Sequence, residues 1–107
     1  IKKVNPIRKI RKAVFAPIAS WSDEKPYDGP SFGSNIERNQ VTIIFNQYLE
    51  KKCEENNIIF ISIFKEMLNK DGTTNPDYLD DFGTGIHLNQ QSMPIILDKL
   101  KENKLIN

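Results

Sequence analysis

Two nearly uninterrupted apolar runs constrain the fold of this chain more than any other feature. Residues 13–19 read AVFAPIA and residues 58–64 read IIFISIF. Apolar runs without polar alternation are typical of strands buried on both faces of a parallel sheet. Pro17 is expected at the carboxyl end of the first strand, where a missing backbone donor is tolerated. We therefore predict two parallel strands, each covered on both faces.

A long helix is predicted between the two strands. Ser34 and Glu37 have the spacing of a capping box, in which the serine hydroxyl accepts from the backbone N–H three residues later. The helix is expected to run to about Glu55 and to end near residues 56–57. Cys53 is expected to be a buried small hydrophobe near the inward face. Apolar residues at spacings of three and four are predicted to form that inward face, namely Val41, Ile44, Phe45, Tyr48 and Leu49.

Two further helices are predicted after the second strand. A short helix over residues 65–69 is expected to end in the turn KDG at residues 70–72. The last helix is expected to begin within residues 89–92, at the later end of that range, because Pro94 is permitted only in the first turn. Its inward residues are predicted to be Ile95, Ile96, Leu97 and Leu100.

The order of these elements predicts an α/β fold. Residues 13–107 read as strand, helix, strand, helix, loop, helix, after a basic lead-in at residues 1–12. Parallel strands joined through a helix need a crossover, which is right-handed in nearly all proteins, and the sheet lies between helical layers. Two strands are few for such a sheet. Residues 1–107 are therefore a single domain or the C-terminal half of a larger α/β domain.

Charge and composition narrow the range of partners. The net charge is only +1, but residues 1–12 contain six lysines and arginines and no acid. This segment is either a patch for phosphate or anionic lipid, or a solvated face. We favour the solvated face over a binding site for nucleic acid or an anionic surface, which stays a third possible function, because neither aromatic residues nor an amphipathic period accompanies the charge. No apolar run has the length of a membrane span, and a cytoplasmic location is favoured.

The only histidine, His87, lies in the segment DDFGTGIHLN at residues 80–89. Its imidazole titrates near neutral pH, which suits proton transfer. The loops at residues 20–33 and 73–89 both follow predicted strands, and parallel sheets place their sites at the carboxyl ends of the strands. His87 is thus a candidate general base, the alternative being a solvent-facing or hydrogen-bonded loop histidine. The first loop carries aromatic residues that either form a lid or wall at a site or pin the loop to the core, namely Trp21, Tyr27 and Phe32.

No metal or cofactor is predicted from the sequence. The single cysteine excludes an internal disulfide, and one histidine with one distant cysteine matches no transition-metal pattern. Asp77, Asp80 and Asp81 are close together, but their spacing lacks the pattern of a twelve-residue calcium loop. A glycine-rich phosphate loop is also missing from the sequence. Exposed loop carboxylates are the favoured interpretation of these acids.

Several short segments occur in the order found in one known family. They are Ala16-Pro17 ending the first strand, Asn46 and Leu49 in the helix, IFISI at residues 59–63, KDG at residues 70–72, and GIHLN at residues 85–89. In this order they resemble the SGNH (GDSL-type) hydrolases, which are flavodoxin-like α/β esterases and lipases. The resemblance covers residues 14–100 and corresponds to the C-terminal part of a typical family member.

The resemblance implies a three-layer flavodoxin-like sheet and a serine esterase that acts on an acylated small molecule or carbohydrate. His87 stands where the family has its catalytic base. The family's acid lies three residues before that histidine, where this chain has Thr84, so either Asp81 or a backbone carbonyl is expected to orient the imidazole. The family's nucleophilic serine has no counterpart in this chain. It is expected to come from the N-terminal half of the domain or from a partner chain.

The alternative function is a non-catalytic α/β binding or assembly module. This interpretation rests on the absent nucleophile, on Thr84 in place of the acid, and on the incomplete sheet. In that case another chain, or self-association into an oligomer, is expected to complete the strand edges.

Overall fold

The computed structural model describes residues 11–23, 32–80 and 87–106. Two strands, β1 (Ala13–Phe15) and β2 (Ile59–Ile61), and two helices, α1 (Asn35–Glu55) and α2 (Met93–Glu102), make up its regular structure. Three short 3₁₀ turns lie between β2 and α2, at Lys65–Met67, Pro76–Tyr78 and Gln90–Ser92. The molecule is therefore a mixed α/β protein, as the sequence predicts.

The two strands pair in parallel through the crossover helix α1. Ala13 lies opposite Ile59, and Phe15 lies opposite Ile61. Both strands are shorter than the apolar runs that predict them. The prediction that both are covered on both faces is wrong for β1, since Ala13 and Phe15 are exposed. Within the described residues β1 has only one neighbouring strand, so much of its apolar surface has nothing to pack against.

Both ends of α1 follow the sequence prediction. At the start, the Ser34 hydroxyl accepts from the Glu37 N–H at 3.2 Å, and the Ser34 N–H donates to Glu37 Oε1 at 2.9 Å. At the end, Asn57 adopts a left-handed conformation with φ of 56°. The chain can then reverse so that the Ile58 N–H donates to the Cys53 carbonyl at 2.8 Å, which satisfies an otherwise free helix carbonyl.

The rotation of α1 about its axis is the opposite of the predicted one. The stripe expected to face the core is largely exposed, with Val41 67%, Ile44 68%, Phe45 50% and Tyr48 63% accessible. The buried residues of α1 are instead Asn35, Asn39, Asn46 and Cys53. The prediction of an inward apolar stripe is therefore wrong, whereas the burial of Cys53 is confirmed.

Hydrogen bonds from buried asparagines fix this rotation. Thr74 Oγ1 accepts from both Asn35 Nδ2 and Asn39 Nδ2 at 2.9 Å, and the Thr74 N–H donates to Asn35 Oδ1 at 2.7 Å. Asn39 Oδ1 accepts from the Ser20 N–H at 2.9 Å, and its amide nitrogen donates to the Gly72 carbonyl at 3.1 Å. We call Asn35, Asn39 and Thr74 the amide cluster. It connects α1 to two segments: the one that follows β1, and the one that contains and follows the turn at residues 70–72.

The apolar core lies beyond the carboxyl ends of the strands. Its fully buried members come from the segments after β1 and β2 and from the loop near Pro76–Tyr78, namely Ala19, Ile63, Phe64, Met67 and Leu79. Ile95 and Ile96 of α2 pack against them as predicted, but Leu97 is 41% exposed and does not. The core therefore supports the surface on which parallel α/β proteins place their sites.

Polar contacts attach α2 near its C-terminal end. The helix begins at Met93, so that Pro94 lies in the first turn as predicted. Lys99 Nζ forms an ion pair with Glu66 Oε2 at 2.7 Å, and this contact raises the pKa of the lysine. Just after the helix, Arg11 donates to the carbonyls of Asn103 and Lys104 at 2.6 and 2.7 Å. Of the basic lead-in, Arg11 and Lys12 are described, and Arg11 has this structural role.

Substituting Asn39 tests the amide cluster. Asn39→Ala removes the partners of the Ser20 N–H and the Gly72 carbonyl, and we expect the free energy of unfolding to fall by about 2 kcal/mol. The neighbouring exposed Gln40 offers a matched control, and Gln40→Ala is expected to change it by less than about 0.5 kcal/mol. Urea unfolding followed by circular dichroism measures both. Equal stability of the two variants would contradict a structural role for the cluster.

The capping box makes the free energy of unfolding depend on pH. Hydrogen bonds from Ser34 lower the pKa of the Glu37 carboxyl. A carboxyl whose folded-state pKa is depressed stabilises the fold above its ordinary pKa, and this stabilisation is lost as the pH falls through the folded-state value. We expect Glu37→Gln to make the urea midpoint less dependent on pH between about pH 5 and pH 3. Glu54→Gln, at the other end of α1, is the control, and an identical flattening there would contradict the prediction.

Candidate functional site

Backbone pairing holds His87 opposite Asp80. Leu79 and Leu88 form an antiparallel bridge, and the Asp80 N–H donates to the His87 carbonyl at 2.8 Å. On the other side of the bridge from His87, the Asn89 N–H donates to the Tyr78 carbonyl at 3.0 Å. These bonds place the backbone of His87 firmly, although residues 81–86 between the two paired segments lie outside the described residues.

The same bridge places His87 next to the core that the segments after β1 and β2 build. Leu79 is 1% exposed, and Leu88 packs against the core that Ile63 and Ala19 build just beyond the ends of β2 and β1. His87 precedes Leu88 directly and is exposed. His87 therefore has a backbone fixed by pairing, a partly buried neighbour, and a side chain that solutes can reach. The fixed backbone and the accessible side chain both suit a general base.

Asn89 is the main support of this segment, and sequence reasoning missed it. Its amide nitrogen donates to the Asp77 carbonyl at 2.6 Å and the Leu79 carbonyl at 3.0 Å. Its Oδ1 accepts from the Gln91 N–H at 2.9 Å, which caps the 3₁₀ turn that leads into α2. The signal in the sequence was an asparagine just before a helix, since asparagine is a favoured capping residue.

The acids before His87 are only partly described. Asp81, the predicted orienting acid, lies outside the described residues. Asp80 is described, and its Oδ1 is buried with no hydrogen-bond partner among the described residues. A buried carboxylate oxygen in this condition is unfavourable, because it has lost water and gained no donor. Asp80 is thus a second carboxylate, close to His87 in the backbone, that has acceptor capacity left.

The loop after β1 is held by Arg38 of α1. The guanidinium lies 4.2 Å from the centre of the Trp21 ring and donates to the Trp21 carbonyl at 2.9 Å. It also donates to Ser20 Oγ at 2.6 Å and forms an ion pair with Asp23 at 3.2 Å. Of the aromatic residues predicted to form a lid or wall, Trp21 is therefore anchored to α1. Phe32 is 87% exposed, and Tyr27 lies outside the described residues.

A cavity of about 330 Å³ lies apart from His87, between α1, β2 and α2. Its lining includes Asn46, Ser62 and the Glu66–Lys99 ion pair. His87 does not contribute to the lining. The candidate base therefore lies on an open surface and not in this cavity.

In the described part of the chain, histidine, cysteine, aspartate and glutamate do not come together in any group of three or more that could hold a metal ion. The same residues include no helix with the length and apolar character needed to cross a membrane.

Comparison of the chain with protein-family models, curated proteins and solved structures finds no match in any of the three.

Asn89 provides a test of how this segment is held. Asn89→Ala removes two donors to backbone carbonyls and one cap, and we expect a loss of about 1–3 kcal/mol in the free energy of unfolding. Hydrogen exchange at the Asp80 amide is expected to accelerate more than exchange at the Asn39 amide. Gln90→Ala, an exposed neighbour, is the control and is expected to leave both rates unchanged. Unaltered exchange at Asp80 in Asn89→Ala would contradict the assignment.

Proposed function

We propose that this chain is the C-terminal portion of an SGNH-type serine esterase and supplies the histidine base for ester hydrolysis. One observation carries the proposal. An exposed histidine is held by backbone pairing opposite Asp80, beside a leucine that packs on the core built by the segments after β1 and β2. The order of the matching sequence segments, ending in GIHLN at residues 85–89, supports the same class.

In the proposed mechanism, a serine hydroxyl from outside these 107 residues attacks the ester carbonyl. His87 accepts the serine proton during the attack, and the tetrahedral intermediate collapses as His87 returns that proton to the departing alcohol. Water then attacks the acyl-enzyme with His87 again acting as base. The free serine and the carboxylic acid are the products.

A base of this kind needs a hydrogen bond on its second ring nitrogen, because that bond fixes the tautomer and the ring orientation. Thr84 occupies the position of the family's acid. The acceptor is therefore Asp81, a backbone carbonyl or Asp80, whose backbone N–H donates to the His87 carbonyl. The Oδ1 of Asp80, which has no hydrogen-bond partner among the described residues, supports Asp80 as a candidate beside Asp81.

The exposed strand β1 supports a larger sheet in the active protein. Ala13 and Phe15 are apolar, exposed and paired on one side only within the described residues. A further parallel strand would pair with the open edge of β1, and a helical layer over that face would cover Ala13 and Phe15, which gives the three-layer, flavodoxin-like form that we propose. That strand and the serine would come from the N-terminal half of the domain or from a partner chain. The substrate would be an acylated small molecule or carbohydrate.

A second candidate is a non-catalytic assembly module. The exposed apolar residues of α1 favour it, since a contiguous apolar surface of this kind marks an interaction site. The two functions differ in one readout, because an assembly module does not depend on His87.

Substitution of His87 tests the hydrolase proposal in the protein that contains both this chain and the serine. With a p-nitrophenyl ester as substrate, we expect His87→Ala to lower kcat/KM by about 10²–10⁴-fold, because the nucleophile loses its base. Gln91→Ala, exposed on the same segment, is the control and is expected to keep full activity. Unchanged hydrolysis in His87→Ala would overturn the proposal and favour the assembly module.

A further inference from the structure

The outward face of α1 has an apolar surface that the proposed hydrolase does not use. Val41, Ile44, Phe45 and Tyr48 form this surface, which we call the outer stripe. They are all at least half exposed and follow one another at helical spacing. An exposed apolar patch of large residues on a polar helix is typical of a protein-binding surface.

The outer stripe points away from the sheet. Asn39, Asn46 and Cys53 face the core and are spaced by seven residues, which is close to two helical turns. At about 100° per residue, Ile44 lies about 180° around α1 from Cys53. A strand or helix that extended the sheet beyond β1 would pack beside α1, so the outer stripe would remain uncovered. A different partner is needed.

The sequence of the stripe is complementary to itself. When two copies of α1 lie antiparallel about a two-fold axis between Ile44 and Phe45, Val41 of each copy lies level with Tyr48 of the other. The charges match as well, because Glu37 lies level with Lys52 at both ends of the contact. Both of these charged residues are exposed. An interface in which each patch meets its own copy is the kind that closes as a dimer.

We propose that a second copy of this chain docks on the outer stripe, so that two α1 helices pack antiparallel in a symmetric dimer. A 21-residue helix is about 31 Å long and offers one face, which is a small interface. The dimer is therefore reversible and forms with a dissociation constant on the order of micromolar. The proposal rests on α1 alone and does not require the hydrolase activity.

Sedimentation equilibrium of the 107-residue chain tests the dimer. The unsubstituted chain is expected to fit a monomer–dimer equilibrium, and Ile44→Glu with Tyr48→Glu is expected to raise Kd by at least about tenfold, because buried carboxylates lack partners. Gln47→Glu, exposed on α1 outside the stripe, is the matched control and should leave Kd within about twofold. A chain that stays monomeric, forms open-ended aggregates, or keeps its Kd in the double variant would overturn the proposal.

Disulfide trapping gives an independent measurement that is not affected if the glutamate variant misfolds. In the proposed dimer, Ile44 of one copy lies beside Ile44 of the other. Mild oxidation of Ile44→Cys is therefore expected to give a cross-linked dimer, whereas Gln47→Cys and the unsubstituted chain, whose only cysteine is buried, should stay monomeric under denaturing electrophoresis. Equal cross-linking of the Ile44→Cys and Gln47→Cys variants, or none in either, would overturn the proposed geometry.

Discussion

The hydrogen bonds of the amide cluster are the constraint on which this fold depends. Burying an amide costs free energy unless its donors and acceptors are paired, so a paired network favours one arrangement of its members. Asn35 and Asn39 are one turn apart on α1, and both donate to Thr74. The rotation of α1 is therefore set by polar geometry, and the apolar residues of the helix take the side that remains.

The cluster also positions the segments around the candidate site. Asn39 accepts from the backbone after β1, and Thr74 lies in the chain that leads to the Pro76–Tyr78 turn. After that turn, Asn89 donates to the Leu79 carbonyl, and the Leu79–Leu88 bridge pairs this segment with the segment that contains His87. One polar network thus links the long helix to the segment with the candidate base, while the core beneath supplies the apolar contacts.

The features of the fold that depend on residues close together in the sequence were predicted correctly. The capping box at Ser34, the end of α1 near residues 56–57, the first-turn position of Pro94 and the parallel pairing are all confirmed. The inward face of α1 was predicted wrongly. Apolar spacing assigns Ile44 to the core, and it contains no information about Thr74, the hydrogen-bond partner of Asn35 that lies 39 residues further along the chain. The burial of β1 failed for a related reason, since it depends on which elements pack against the strand, and within the described residues only β2 pairs with it. His87 was found because it is the only histidine, whereas Asn89 has a role that appears only when its carbonyl partners are brought near.

The contact between Arg38 and Trp21 has a practical consequence. Trp21 is the only tryptophan in the chain, and a fixed cation lies over its ring. Indole emission responds to nearby charge and to water, and with one tryptophan the indole emission of this protein reports on a single place in the loop after β1. Release of the loop from α1 would expose the ring to solvent and shift the wavelength of its emission. Tryptophan fluorescence therefore reports whether this loop is attached to α1, without an added dye.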